Sequence, residues 1–412
     1  MGSLPLKCGD PELVKILMIA PEPFFEPRGT PFSEFHRICA LTKLGHTVDL
    51  VTYPFGKDVS IPGMRLFRCG RPPFVRRVRI GPSLAKIPLD VLLAATTIRR
   101  AFSDRYDAVH SHEEGSFIGV LVAAALGLPH LYDMHSSLPQ QLTNFSFSNS
   151  RVLSRVFAAV ERFVIRRSRV VVVICPHLED TVRAIEPMVP TVLIENAPGS
   201  GESPMEGSGK RVRAAWGVAE AAPMVLYTGT FEPYQGLDLL FGAAAHVLQQ
   251  RPDARFMLAG GEPDQVEKAK AQASAAGVAS GVIFTGQRPA EEIPDFLDAA
   301  DVLVSPRSSG TNTPLKIYQY LRSGRPIVAT RLLTHTQVLS DDVAFLADAT
   351  ASGFAGAILG VLNDPAGAKR VGERAKRLAE TKYSYEAYLS RTRQACMYLM
   401  GKETPQVVGG VA

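Results

Sequence analysis

Cysteine is scarce and unpaired in this sequence: Cys8, Cys39, Cys69, Cys175 and Cys396 lie far apart, and none has a Cys-x-x-Cys or other metal-ligand spacing. That argues against a disulfide-stapled secreted scaffold and fits reduced thiols in a cytoplasmic protein. Long apolar runs are also missing. The longest, Phe117 to Leu128, falls well short of the roughly 20 residues that a spanning helix needs. The N-terminus has no basic-then-apolar leader pattern, because Asp10 and Glu12 precede an apolar strand and no cleavage site follows. Asp-x-Asp triplets are absent, which leaves no ready carboxylate pair for a divalent ion. No bound metal and no cofactor are therefore expected.

What is present is ordinary globular composition, 46% hydrophobic and 21% charged over 412 residues, a length that suits two domains better than one core. Short apolar runs alternate with helical patterns throughout, as in doubly wound α/β architecture. Strands are predicted at Val14–Ala20, Thr47–Tyr53, Ala108–Ser111, His130–Tyr132, Val170–Ile174 and Thr191–Ile194. A second set is predicted at Met224–Thr228, Arg255–Ala259, Val282–Thr285, Val302–Ser305, Ile327–Ala329 and Ala344–Leu346. The Pro-, Gly- and Ser-rich stretch after Asn196 reads as a linker. The expected layout is a domain at 1–196, a linker at 197–222, a domain at 223–383, and at 384–412 a helix packing back on the first domain, followed by a tail.

Two loops are built to meet an anion. In Ser308 to Thr330, Gly310 loosens the loop, Thr313 is a good N-cap and Pro314 suits the first helical position. The N–H groups of Asn312 to Leu315 then face outward at a helix end that carries roughly half a positive charge. Near the N-terminus the loop Arg28-Gly29-Thr30 leads into a helix opened by Pro31. Either feature alone marks only an ordinary helix start. Two such ends facing one cleft would suit a diphosphate with a substrate beside it.

Positive charge is uneven although the net charge is only +5. Arg65, Arg68, Arg71, Arg76, Arg77, Arg79 and Lys86 stand against the single acid Asp90. A helix at 150–169 carries Arg151, Arg155, Arg162 and Arg166 on one side, with Leu153, Val156, Phe157, Val160 and Val164 expected on the other. Solvated surface, an anionic membrane face and nucleic acid are the three readings. Nucleic acid ranks last, since no recognised module accompanies the charge. A peripheral place on the inner face of a membrane is the alternative to a purely cytoplasmic one.

Several segments together resemble the retaining glycosyltransferases of family 4: the Gly29 loop, GHTVDLVTYP, HSHEEG, YDMHS, YTGTFEPYQGLDLL, LAGGEPD and FTGQRPAEEIPDFLDAADVLVSPR. The resemblance runs nearly the whole length and implies the GT-B fold, two Rossmann-like domains facing a central cleft. It implies transfer of a hexose from a nucleotide-diphosphate sugar to a lipid-linked or cell-envelope glycan acceptor. On that pattern the backbone at Gly260 and Gly261 would approach the nucleotide and His135 would meet the reacting sugar. Gly29, Thr30, Gly229, Gln287 and Arg288 are further donor candidates by their places at loop and strand ends, Glu262 either reaches the nucleotide or begins the Pro263 helix, and His112 and Glu113, at a strand end, are the acceptor candidates. Asp301 reads as a structural helix-end residue.

The chain also departs from the family pattern. The Arg and Lys that grip the diphosphate align with Thr230 and Gln235, and the two glutamates of the E-x7-E motif with Thr311 and Gln319. Lys316, Arg307 and the helix start at Thr311, Asn312, Thr313, Pro314 and Leu315 are the available replacements. A sugar-nucleotide-binding protein without catalysis and a sugar-nucleotide epimerase of the same fold stay open beside the transferase.

Overall fold

The structure is a computed structural model that describes residues 13–26, 29–75, 78, 86–139, 151–195 and 204–403. It comprises two units, one of Met1–Asn196 with Tyr388–Ala412 and one of Ala197–Ala387. Among the described residues no helix is long and apolar enough to cross a membrane. Cys39, Cys69, Cys175 and Cys396 are free thiols; Cys8 lies outside the described residues.

Among the described residues the first unit holds seven parallel strands: β1 (Lys15–Ala20), β2 (Thr47–Thr52), β3 (Met64–Arg68), β4 (Ala108–His112), β5 (His130–Met134), β6 (Val170–Val173) and β7 (Thr191–Leu193). They lie in the order β3-β2-β1-β4-β5-β6-β7, so the winding reverses between β1 and β4. Helices cover both faces, which is why the inner strands read as continuous apolar runs. On one face Ile16, Met18, Val48 and Leu50 pack with Ile38 and Leu41 of α1 (Gly29–Lys43). On the other, Leu17, Ile19, Val51 and Val109 pack with Leu89 and Leu93 of α2 (Lys86–Ser103) and Val122 of α3 (Gly115–Leu126). Each large side chain buried this way contributes about 1.5–3 kcal/mol.

Strand β3 lies within the expected basic stretch, and it neutralises part of it. Arg65 pairs with Asp49 and Asp104, and Arg68 with Asp58. Arg76, Arg77 and Arg79 lie outside the described residues. The basic helix α4 (Arg151–Arg167) corrects one assignment: Val156 is 51% exposed and shares the outward side with the arginines, while Val164 is buried. The last helix in the chain, Tyr385–Leu399, contributes Cys396 to the α1 core, and Arg391 pairs with Glu195.

In the second unit β8 (Met224–Thr228), β9 (Arg255–Ala259), β10 (Val282–Gly286), β11 (Val302–Ser305), β12 (Ile327–Thr330) and β13 (Phe345–Ala347) form a parallel sheet ordered β10-β9-β8-β11-β12-β13. The order repeats that of the first unit, with its reversal between β8 and β11. Part of the expected linker is ordered: Ser208–Ala215 is a helix, α6, whose Arg213 donates to Ala299 O and pairs with Asp301. Asp301 also accepts from Met224 N and so ties strand to helix.

Candidate active site

In doubly wound sheets, ligands bind beyond the strand C-termini where the order reverses, and the second unit gathers its cations there. The loop after β8 is shaped by backbone contacts. Gly229 N donates to Ala259 O at 3.0 Å and Gly260 N to Gly286 O at 2.8 Å. A Cβ at Gly260 would stand 1.9 Å from Gly229 O, and φ is +139° there, so no side chain fits. A Cβ at Gly236, where φ is +72°, would likewise stand 2.0 Å from Pro306 O. These approaches bring the 229–236 loop against the loop that follows β11.

Lys316 sits in the first turn of α10 (Leu315–Ser323) and is buried. Its Nζ donates to Gln235 Oε1 at 3.3 Å and lies 3.7 Å from the centre of the Tyr227 ring. The resemblance puts a cation at position 235; here Lys316 brings its amine to the Gln235 side chain instead. Gln235 Nε2 in turn donates to Thr230 Oγ1 at 3.4 Å. Arg307 donates to Asn312 O and Thr334 Oγ1 and lies 5.0 Å from the Tyr234 ring centre. Burial, and then the charge of Arg307, hold the Lys316 amine well below the ordinary lysine range. Neither cation has a carboxylate partner among the described residues.

The expected Thr313 cap and the helix start expected at Pro31 are both corrected. Pro314, at φ −65° and ψ 135°, is the residue before α10 and has extended backbone, so the helix opens at Leu315. Thr313 is buried, and its hydroxyl caps nothing. In the first unit α1 opens at Gly29, with φ +50°, which puts Thr30 inside the first turn. The N–H groups of Leu315 and Lys316 still open a helix without intrahelical acceptors. Thr311 O accepts from Gln337 Nε2 at 2.6 Å, which holds the loop from behind.

The first unit concentrates histidines at the ends of β4 and β5. His110 and His112 alternate along β4 onto one face, their rings stacked 4.8 Å apart, and Asp133 lies in register with His112 on β5. Asp133 Oδ2 accepts from Arg37 Nε at 2.9 Å and lies 3.3 Å from His110 Nε2. Burial would raise the Asp133 carboxyl, but Arg37, His135 and His110 hold it well below the usual range. His135 Nε2 lies 3.3 Å from Asp133 Oδ1 and 3.2 Å from His112 Nδ1. Burial lowers His135 to about 4 and outweighs Asp133, so its imidazole is neutral near pH 7.

His112 has no exposed surface, which corrects its expected contact with an acceptor: it reaches a ligand only through His135. Glu113 adopts φ +43° and accepts from Ser136 Oγ at 3.0 Å. Burial and the neighbouring Glu114 and Glu22 raise its pKa. His110, His112 and Asp133 bring one potential ligand atom each within 4.8 Å of one another. The Arg37 guanidinium already occupies Asp133 Oδ2, and a fixed cation there opposes a second one.

The remaining expected donor residues border the second site unevenly. Gly261, at φ +79°, packs under Phe231, and the exposed Glu262 forms a capping box with Gln265 at the start of α8 (Pro263–Ala275). Gln287 is exposed, while Arg288 is turned to Glu292. Gln319 is exposed one turn beyond Lys316. Sequence reasoning missed Arg37, His110 and Asp133. The alternating His-x-His and Asp-x-His patterns at two strand ends are the signal that points to the last two.

Comparison with known proteins follows the same division. Residues 36–197 match the model described as a glycosyl transferase 4-like domain, and residues 222–364 the model for glycosyl transferases group 1. The chain is similar to the D-inositol 3-phosphate glycosyltransferase of Acidothermus cellulolyticus, 29% identical over 322 residues, covering 71% of this chain and 69% of that protein. Among solved structures, the sucrose-phosphate synthase of Thermosynechococcus elongatus superposes with a TM-score of 0.75 at 20% identity, covering 95% of this chain and all of that one. Alr3699/HepE of Anabaena, solved in complex with UDP-glucose, gives 0.72 at 16% identity, with coverage of 95% and 100%.

Proposed function

Because the chain is a family 4-like glycosyltransferase with the GT-B fold, we propose that it moves a hexose, with retention, from a nucleotide-diphosphate sugar to a hydroxyl of a lipid-linked or cell-envelope glycan. The observation that carries this reading is the pair of Lys316, buried, and Arg307, half-buried, two basic side chains without a carboxylate partner among the described residues, beside a helix start. A leaving diphosphate suits that place, and fixed donors at the point where charge develops are the largest single source of rate. The leaving phosphate oxygen takes the acceptor proton.

His135 serves the sugar. With its Nε2 held 3.2 Å from His112 Nδ1, the neutral His135 donates a hydrogen bond to the donor sugar. Arg37, Asp133 and His110 fix the ring and its tautomer behind it, so these are positioning residues. Glu113 and Ser136 border the acceptor side. A second reading of the acceptor, a soluble polyol phosphate, is favoured by the relative named for D-inositol 3-phosphate.

A panel of sugar nucleotides screened by thermal shift identifies the donor. Nucleoside diphosphate release with and without candidate acceptors then tests the reaction. Release that requires acceptor supports the transferase. Tight binding without turnover points to a binding protein, and donor interconversion without acceptor to an epimerase.

Metal-independent transfer is part of the proposal, since the chain has no Asp-x-Asp pair and Arg37 holds Asp133. EDTA is expected to leave the rate unchanged. Loss of activity restored by magnesium or manganese overturns this.

A further inference from the structure

Three neighbouring helices of the first unit turn an unusual surface outward. α3 packs against α2 on one side and α4 on the other, and Phe117 and Phe163 bring the rings of α3 and α4 to 6.1 Å. On α2 the exposed positions include Ile87, Val91, Ala95, Ile98 and Phe102, spaced so that they fall on one stripe. On α3 they include Phe117, Leu121 and Ala124. On α4 the exposed stripe reads Val152, Arg155, Val156, Ala159, Arg162, Phe163 and Arg166.

Charge on this face has one sign. The acids within the three helices, Asp90 and Glu161, both turn inward: Asp90 accepts from Tyr53, and Glu161 from Ser137 and Leu138 N. Arg166 reaches Glu186 beyond the helix at 3.5 Å, whereas no ion pair is formed by Arg155 or Arg162 among the described residues. A soluble surface would mix the signs and scatter its apolar side chains. Apolar stripes interleaved with arginine are what lets a helix lie in a membrane interface, apolar groups in the acyl boundary and cations among the headgroups.

We propose that the α2–α3–α4 face docks the protein on a bilayer rich in anionic lipid. The inference stands on this surface alone and does not depend on the transfer reaction.

Flotation of the full chain with phosphatidylcholine vesicles, with and without phosphatidylglycerol, tests it. Strong recovery is expected only with the anionic vesicles. Arg155→Gln with Arg162→Gln is expected to lower the partition about 25-fold, about fivefold for each basic residue near the surface. That loss should shrink at physiological salt, where the screening length is about 8 Å. Val156→Ser with Phe163→Ser is expected to lower the partition at low and high salt alike. Melting temperatures should hold in both variants, because all four side chains are exposed. Absence of flotation with anionic vesicles at low salt overturns the proposal. So does flotation that neither pair of substitutions weakens. A concentration-dependent dimer in sedimentation, abolished by the apolar substitutions and accompanied by no vesicle binding, assigns the face to a second copy instead.

Discussion

His135→Ala leaves nucleoside diphosphate affinity near its wild-type value and lowers glycosyl transfer about a hundred- to a thousandfold, the loss seen when one donor aimed at a transition state is removed, about 2.7–4 kcal/mol. The expectation rests on the proposed division of labour, in which diphosphate contacts belong to Lys316 and Arg307. Steady-state kinetics and a melting curve must be read together. A wild-type rate refutes the catalytic role, and loss of activity only in step with unfolding returns His135 to packing.

The pH dependence adds a second check on His135. Its pKa falls from the ordinary 6.5 to about 4 in the folded chain, so the unfolded chain binds this proton first. Stability therefore declines as pH drops through that window, and the imidazole stays neutral above it. A rate inflection near 6.5 that disappears in His135→Ala would contradict this.

Lys316→Met is expected to weaken nucleoside diphosphate binding by two orders of magnitude or so. A unit charge about 4 Å from a phosphate is worth about 4 kcal/mol at an effective dielectric near 20, and the cost of recharging the buried amine is deducted from that. Folding should not suffer, since methionine fills similar volume and replaces a buried amine that has no acid partner among the described residues. Proton linkage gives the sharper signature. The free amine is held well below its ordinary range, and an arriving anion raises it again, so binding is linked to proton uptake. Calorimetry in two buffers of different ionisation enthalpy should detect that uptake in the wild type and not in the variant. Unchanged affinity removes Lys316 from the site.

The central strands were readable because both sheet faces are covered, which leaves runs such as Val170–Val173 apolar throughout. Strand β3 was not. Its Arg65 and Arg68 interrupt the apolar pattern at a sheet edge and find acids on other elements. The same limit applies to the site. That Lys316 opens a helix follows from local sequence, but its meeting with Gln235 joins residues far apart in the chain and depends on how two loops pack. The Thr313 cap failed because the backbone at Pro314 stays extended, a choice that helix-start statistics do not make. Arg37 was invisible for a like reason: it lies on α1, and its partner Asp133 lies on β5, far along the sequence.

The chain leaves the first unit at Asn196 and returns to it at Tyr388, and this order matters during translation. Arg37, which precedes the second unit in the sequence, is buried against Tyr388 and Thr392, which follow it. A nascent first unit emerging from the ribosome therefore waits for the whole second unit before its own core can close. Truncation before Tyr388 should consequently harm the histidine cluster at residues 110–135, through Arg37 and the Asp133 it holds.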